Sequence, residues 1–384
     1  MYDVIVVGAG PSGAILSYQL ARSGAKVLVL EKERLPRYKT CGGGVTVRAA
    51  KVLPLDLSPV VERTVYHAQV SLRMGRSFER TSPDALVYMT MRNRLDTYLM
   101  EHSQRAGAEL MQGVQVQKVS QRDGVVSVST TTGDFEAAYV AGCDGANSVV
   151  AQGVGAPAAQ WSDVALEVEW HGVTPATLDE WRNKAAVDVG VLPGGYAWIF
   201  PKGDHLSIGA AASARHSRKL RGYLDDFARY HGFALGGDAH VHGHKLPVRR
   251  PRALLHRGRT LLVGDAASLV EPFSGEGIYS AAKSAMLAAQ ALREGGRGRG
   301  DAGLRYQSLM EQELLPELNT GAFIAKLFPV APKVYFSWLG RSDRLWSYAR
   351  RVLRGESNYQ ALMRKLGPLG VTQHLTRRWN SLGW

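Results

Sequence analysis

The sequence predicts an α/β protein in which a parallel-sheet domain is interleaved with an antiparallel-sheet domain and followed by a helical C-terminal region. Three observations predict it. The first 31 residues read as strand, glycine turn, helix and strand. Strand-like patterns dominate from about 161 to 250, and beyond about 299 the chain becomes helical and basic.

Val4–Val7 is a continuous apolar run rich in β-branched residues, as in a strand buried on both faces. Gly8-Ala9-Gly10-Pro11-Ser12-Gly13 follows as a turn. A helix is predicted from about Ser12 to Arg22, ended by Ser23-Gly24, and Lys26–Leu30 is the second buried strand. Cys41-Gly42-Gly43-Gly44 reads as a loop before a short helix, and residues 64–80 as a hairpin. Arg92–Ala106 is a helix with Leu95, Leu99 and Met100 on one face. Val114–Val119, Val125–Thr130 and Phe135–Ala141 alternate as a meander. Glu167-Val168-Glu169-Trp170, Tyr196–Phe200 and Leu206–Ala210 read as strands of a second domain. Leu261–Val263 returns as a short buried strand before a helix from about Glu276 to Leu292. Gly295–Gly303 is rich in Gly and Arg and reads as a linker.

The bulk numbers narrow the class. A chain of 384 residues suits two interleaved domains and an appendage. No stretch approaches the ~18–20 apolar residues of a membrane span. The N-terminus has no basic leader and is not expected to be a signal peptide, so a cytoplasmic protein is expected. The two cysteines, Cys41 and Cys143, are expected as free thiols. The net charge of +13 suits anionic partners or reflects a basic background. Nucleic acid is not expected, since no motif for it is present.

The glycine turn carries the first chemistry. Gly8 permits the tight turn, Gly10 lets a pyrophosphate approach the backbone, and Gly13 lets helix and strand pack closely. The free N–H groups of the helix N-terminus then meet the phosphates. Glu31, at the end of the second strand, is placed to accept ribose hydroxyls. This context predicts a dinucleotide, without choosing between NAD and FAD.

Two later motifs bear on that choice. One is Cys143-Asp144-Gly145-Ala146-Asn147-Ser148. The other is Gly264-Asp265-Ala266-Ala267, which leads through Pro272-Phe273-Ser274-Gly275-Glu276-Gly277 into a helix. Here the chain resembles FAD enzymes of the p-hydroxybenzoate hydroxylase fold, which implies a Rossmann-type FAD-binding domain with Asp265 on the ribitol chain. Ala151 stands where that family has an arginine after the first motif. Pro36-Arg37-Tyr38-Lys39-Thr40-Cys41-Gly42-Gly43-Gly44 and Tyr196-Ala197-Trp198-Ile199-Phe200-Pro201 resemble the PRxKxCGGG and YxWxFP motifs of the geranylgeranyl reductase family. Arg92, Leu95 and Asp96 match its RxxFD helix start. The YxWxFP motif normally closes with GxG, but here Gly209 is followed by Ala210 and Ala211. The resemblance spans roughly residues 1–290.

The resemblance implies reduction of isolated double bonds in prenyl chains of lipids, chlorophylls or quinones. It implies FAD contacts at Ser12, Glu31, Cys41, Gly42, Gly44, Arg92, Val116, Asp265, Gly277 and Ile278. Gly8, Gly10, Gly13, Asp144 and Gly275 complete the expected cofactor site. The expected division assigns 1–60, 86–160 and 251–298 to the FAD-binding domain, 61–85 and 161–250 to a substrate-binding domain, and 299–384 to the helical region.

Reduced FAD would give a hydride to one alkene carbon while the other is protonated, and positive charge develops. Tyr196 and Trp198, two residues apart, share a strand face and either line the substrate channel or serve as ordinary sheet core. Cys41 is either a proton relay or a small packing residue against the flavin; Cys143 ends a strand and is expected as core. No metal is expected: His240-Val241-His242-Gly243-His244 alternates as a strand would, without a carboxylate or cysteine cluster beside it. Phe323–Leu353, with its aromatics and arginines, suits either a peripheral helix at a lipid surface or a basic helix packed on the core. NAD(P)H or ferredoxin is expected as electron donor, the latter suiting a basic surface. The alternatives are a monooxygenase or halogenase of the same fold, although halogenases carry WxWxIP, and a non-catalytic flavin-bound membrane-associated protein.

Overall fold

The computed structural model describes residues 1–122, 124–156, 163–236, 239–250, 253–295 and 301–365. Five parallel strands form its centre, in the order Thr260–Leu262, Gly133–Gly142, Tyr2–Val7, Val27–Glu31 and Glu109–Gln112. Val4, Ile5, Val6 and Val7 and all of Val27–Glu31 are buried, as in a sheet covered on both faces. Pro11–Arg22 packs between Arg92–Arg105 and Ile278–Gly295 as one helical layer, with Leu95, Leu99 and Met100 buried as the sequence predicts, and Val119, Val126 and Val128 of the meander join the same core. Val116–Arg122, Val125–Thr130 and Gly133–Gly142 form the meander.

A second sheet runs in the order His242–Leu246, Asp163–Trp170, Leu206–Ser213, Tyr196–Pro201, Lys184–Val189, His67–Leu72 and Arg76–Thr81. It is antiparallel except where Lys184–Val189 runs parallel to His67–Leu72. One face packs Val168, Ala197, Ile199, Ile208, Ala210 and Ala212 beneath the helix Ser217–Tyr230. The strand-like reading of 161–250 misses that helix. Its period was legible, since Leu220, Tyr223, Leu224 and Phe227 recur at helical spacing and are buried. The predicted hairpin at 64–80 is His67–Thr81; Arg63–Val65 instead pairs with Val87–Met89 in a three-stranded sheet completed by Gly44–Thr46.

Five α-helices, Ala302–Glu313, Leu315–Leu327, Pro332–Arg341, Asp343–Leu353 and Tyr359–Lys365, follow among the described residues. Most of the predicted linker Gly295–Gly303 lies outside the described residues. No described helix is long and apolar enough to cross a membrane.

Candidate active site

The glycine turn is shaped by contacts that only hydrogen side chains allow. Gly8 has φ +101°, and a Cβ there would lie 2.5 Å from the Cys143 carbonyl oxygen. A Cβ on Gly13 would lie 1.9 Å from the Gly8 carbonyl oxygen. Gly10 is different: a Cβ there would meet only the guanidinium groups of Arg37 and Arg92, at 3.9 and 4.0 Å. Gly10 is also the N-cap of Pro11–Arg22 and offers no side-chain cap. The first-turn amides are left for an outside acceptor, with two cations beside them. Such a cradle fits a pyrophosphate.

Glu31 is buried beside this turn. Its carboxylate accepts the Ala9 N–H at 2.7 Å and the Glu33 N–H at 3.0 Å, and Arg37 lies 3.7 Å away. Its carbonyl accepts the Val114 N–H at 3.0 Å, which brings the start of the meander alongside. Val116 follows, but its side chain is spent in the core, so it offers a ligand only backbone groups. Asp144 neighbours Gly8, yet its carboxylate is directed elsewhere. It accepts Ser148 Oγ–H and the amides of Val149 at 2.7 Å and Val150 at 3.2 Å, securing the turn into Val149–Gly153.

Ser12 packs against Gly264, where a Cβ would lie 3.0 Å from Ser12 Oγ, and so joins the first motif to the last. Asp265 follows in the turn Gly264–Ala267, and a Cβ on Gly277 would lie 3.7 Å from its Oδ1. Burial raises the Asp265 carboxyl above the usual range, while the charges of Lys39 and Arg92 pull it back. Burial pushes Lys39 down to about 8, with Arg92 adding to the effect. Arg92 is bidentate to Asp96 at 2.8 and 2.8 Å, and its guanidinium also reaches the Cys41 sulfur. Ile278 opens the helix Ile278–Gly295.

The loop Pro36–Gly44 lies across the free face of the second sheet. Tyr38 stacks on His242 with ring centroids 4.3 Å apart, and Lys39 Nζ contacts His244 Nε2. The Cys41 N–H donates to Glu167 Oε2 at 2.7 Å. Gly42 abuts Trp198 and Phe200, where a Cβ would come within 2.9 Å of both rings. Lys202 Nζ donates to the carbonyls of Gly42 at 2.7 Å and Thr90 at 2.9 Å. His242 and His244 are thus seats for this loop.

Strand pairing builds that face. Trp198 and Glu167 both pair with Gly209, and Tyr196 pairs with Ala211. A Cβ on Gly209 would lie 2.0 Å from the Trp198 ring, so the missing side chain is what admits the indole. Trp198 Nε1–H donates to Ser207 Oγ at 3.3 Å, and Ser207 Oγ–H to Glu167 Oε1 at 2.6 Å. Tyr196 lies 5.8 Å from Trp198, ring to ring, and its hydroxyl abuts Gly275, where a Cβ would lie 2.0 Å away. Burial keeps the Tyr196 hydroxyl protonated well above its ordinary range. The tyrosine therefore touches the last cofactor motif while the tryptophan touches the cysteine loop. Gly44 continues into the strand Gly44–Thr46 beside Val87.

Sequence reasoning missed Arg37, Lys39, Glu167, Ser207 and Lys202. The first two stand in a quoted motif. Glu167 stands in a stretch read only as a strand of the second domain, and it is 1% exposed. Burial raises its carboxyl, and Ser207 and Lys202 oppose that rise.

The FAD binding domain family matches residues 1–193. The chain is 30% identical to a digeranylgeranylglycerophospholipid reductase of Methanothermobacter thermautotrophicus, over 85% of this chain and 87% of that protein. It is 30% identical to a geranylgeranyl diphosphate reductase of Rhodobacter capsulatus, over 76% and 74% of the two chains. The fold matches a geranylgeranyl bacteriochlorophyll reductase-like protein of Thermoplasma acidophilum, with a TM-score of 0.77, 22% identity and coverage of 88% and 90%. A flavin-dependent brominase shares the fold at a TM-score of 0.73, 18% identity and coverage of 92% and 94%.

Proposed function

Because the chain belongs to the geranylgeranyl reductase family of FAD-dependent oxidoreductases, we propose that it saturates carbon–carbon double bonds of a prenyl chain carried by a lipid, chlorophyll or quinone. The observation that carries this reading is the aromatic face. Tyr196 and Trp198 span the gap between Gly275 and the Cys41–Gly44 loop, where the flavin end of the cofactor belongs. An apolar wall there suits an isolated alkene better than a polar substrate.

FAD, when bound and reduced, supplies a hydride. Gly8, Gly10, Ser12, Gly13 and Glu31 would hold its adenosine diphosphate part, with Arg37, Lys39 and Arg92 near its charges. Asp265, Gly275, Gly277, Ile278, Cys41, Gly42 and Gly44 would hold its flavin part. Tyr196 and Trp198 present ring faces that stabilise developing positive charge by ~0.5–2 kcal/mol. Cys41 Sγ would hold the proton that the second alkene carbon needs. Glu167 keeps the cysteine in place through its backbone N–H.

NAD(P)H or ferredoxin is the proposed electron source. A lipid surface is a proposed contact, supported by Val330, Val334 and Trp338, which are exposed around the start of Pro332–Arg341. The other side of that helix packs on the sheet edge, with Phe336 against Phe78 at 5.0 Å between ring centroids, and so does the neighbouring helix Asp343–Leu353, where Trp346 Nε1–H donates to the Thr81 carbonyl at 3.2 Å.

The test is anaerobic incubation of the dithionite-reduced protein with prenyl diphosphates, lipids and quinones, read as mass gains of two hydrogens. Gains without oxygen are expected. Turnover that instead requires oxygen would favour the monooxygenase or halogenase alternative, and no flavin reoxidation by any alkene would favour a non-catalytic role. Unchanged turnover in Cys41→Ala would remove the proton-holding role.

A further inference from the structure

At one end of the second sheet, three side chains outside the site converge. Glu169, His171 and His205 each offer a ligand atom within 4.8 Å of the other two. Strand pairing brings them there. Trp170 pairs with Leu206, so His171 and His205 meet one step further on, with ring centroids 4.5 Å apart. Glu169 is two residues before His171 and shares its face.

His205 is 3% exposed, and its two nitrogens differ. Nδ1 pairs with the Asp204 carboxylate at 2.7 Å. Nε2 is buried and has no hydrogen-bond partner among the described residues. Buried polar atoms are rarely left so, and a ligand would satisfy this one.

We propose that Glu169, His171 and His205 form a binding site for a divalent cation of the zinc class, with Asp204 orienting His205. Two imidazoles and one carboxylate are a zinc-type donor set with a position to spare. A carboxylate on the far nitrogen is the usual support of a metal-bound histidine. Calcium and magnesium prefer all-oxygen shells. The surroundings suit a cation, because Glu167 and Asp204 lie close to the cluster. Lys202 is the nearby cation, and its ammonium is committed to the Gly42 and Thr90 carbonyls. A bound ion would tie Asp163–Trp170 to the turn before Leu206–Ser213. Those two segments carry Glu167 and Lys202, the residues that hold the Cys41 loop. No motif spacing announces the set, since only strand pairing brings His205 to Glu169 and His171.

The experiment uses the full-length, FAD-loaded protein, stripped with a chelator and desalted. Zn2+ alone is titrated against a chromogenic competitor, and bound metal is counted by mass spectrometry. One Zn2+ per chain is expected, and Co2+ in its place should give visible ligand-field bands. His171→Ala, at an exposed residue, and His205→Ala should each abolish stoichiometric binding with FAD content retained. Asp204→Asn should weaken it by about 10–100-fold. His240→Ala, at an exposed histidine outside the cluster, should leave it intact. Should His205→Ala fail to fold, the His171 and Asp204 variants decide. Absence of stoichiometric binding, or binding that survives His171→Ala, would overturn the proposal.

Discussion

Glu167 accepts the backbone N–H of Cys41 at 2.7 Å while its other oxygen accepts the Ser207 hydroxyl at 2.6 Å. One buried carboxylate therefore positions the cysteine loop and, through Ser207, the Trp198 indole. Glu167→Gln retains an acceptor for one of these donors, whereas Glu167→Ala strands both. The alanine variant should lose about 1–3 kcal/mol more stability than the glutamine variant in denaturant unfolding. It should also reduce alkenes at least tenfold more slowly while still binding FAD.

Lys39 gives the cofactor site a pH dependence. Burial brings its pKa down to about 8, so the free protein carries this charge below pH 8 and loses it above. A bound diphosphate favours the charged form, so FAD affinity should be highest below pH 8 and fall as pH rises through it. The fall should be roughly tenfold, the scale of one hydrogen bond to a charged group. Fluorescence titration of the apoprotein between pH 7 and 9 checks this, and Lys39→Met should flatten the curve.

Gly209→Ala places a methyl group 2.0 Å from where the Trp198 ring lies. The ring must move or the strands must part, at about 1–3 kcal/mol for overpacking. The expected outcome is a shifted tryptophan emission, unchanged FAD content and slower alkene reduction. Ala211→Gly, on the same strand as Gly209 but paired with Tyr196, should not shift that emission.

Arg48 links the last cofactor motif to the helical region, donating to Glu276 at 2.6 Å and Glu317 at 3.0 Å. Arg48→Met removes the counter-ion of two buried carboxylates, leaving Glu276 only the Thr46 hydroxyl and Glu317 only the Tyr359 N–H among the described residues, and should cost about 3–5 kcal/mol at pH 7. Burial already raises the Glu317 carboxyl, and loss of Arg48 removes a group that lowers it. The deficit should therefore shrink as pH falls and Glu317 takes up a proton. Urea unfolding at pH 7 and 5 measures it.

The nucleotide half was readable because its determinants are local. Gly8, Gly10 and Gly13 fall within six residues; contacts inside the turn or with the adjacent strand require Gly8 and Gly13, and Gly10 leaves the helix N-terminus uncapped. Periodicity of two gave the meander, and the helix Arg92–Arg105 appeared with its buried face. The helix Ser217–Tyr230 was equally periodic but lay inside a region dominated by strand patterns.

The roles of Glu167 and Glu169 were not readable in that way. Both alternate on one strand as solvent-facing acids would, and only strand order decides what covers them. The Cys41 loop buries the first, and the turn at His205 meets the second. Likewise His242 and His244 read as a bare alternation until Tyr38 and Lys39 are laid upon them. Short-range sequence pattern was sufficient for the glycine turn, proposed to take the adenine end of FAD, because backbone geometry within a few residues dictates it. The aromatic wall and the histidine cluster came from strand pairing, and the burial of Glu167 from a loop packed on the sheet, since burial there depends on partners more than a hundred residues away for Glu167 and on the neighbouring strand for Glu169.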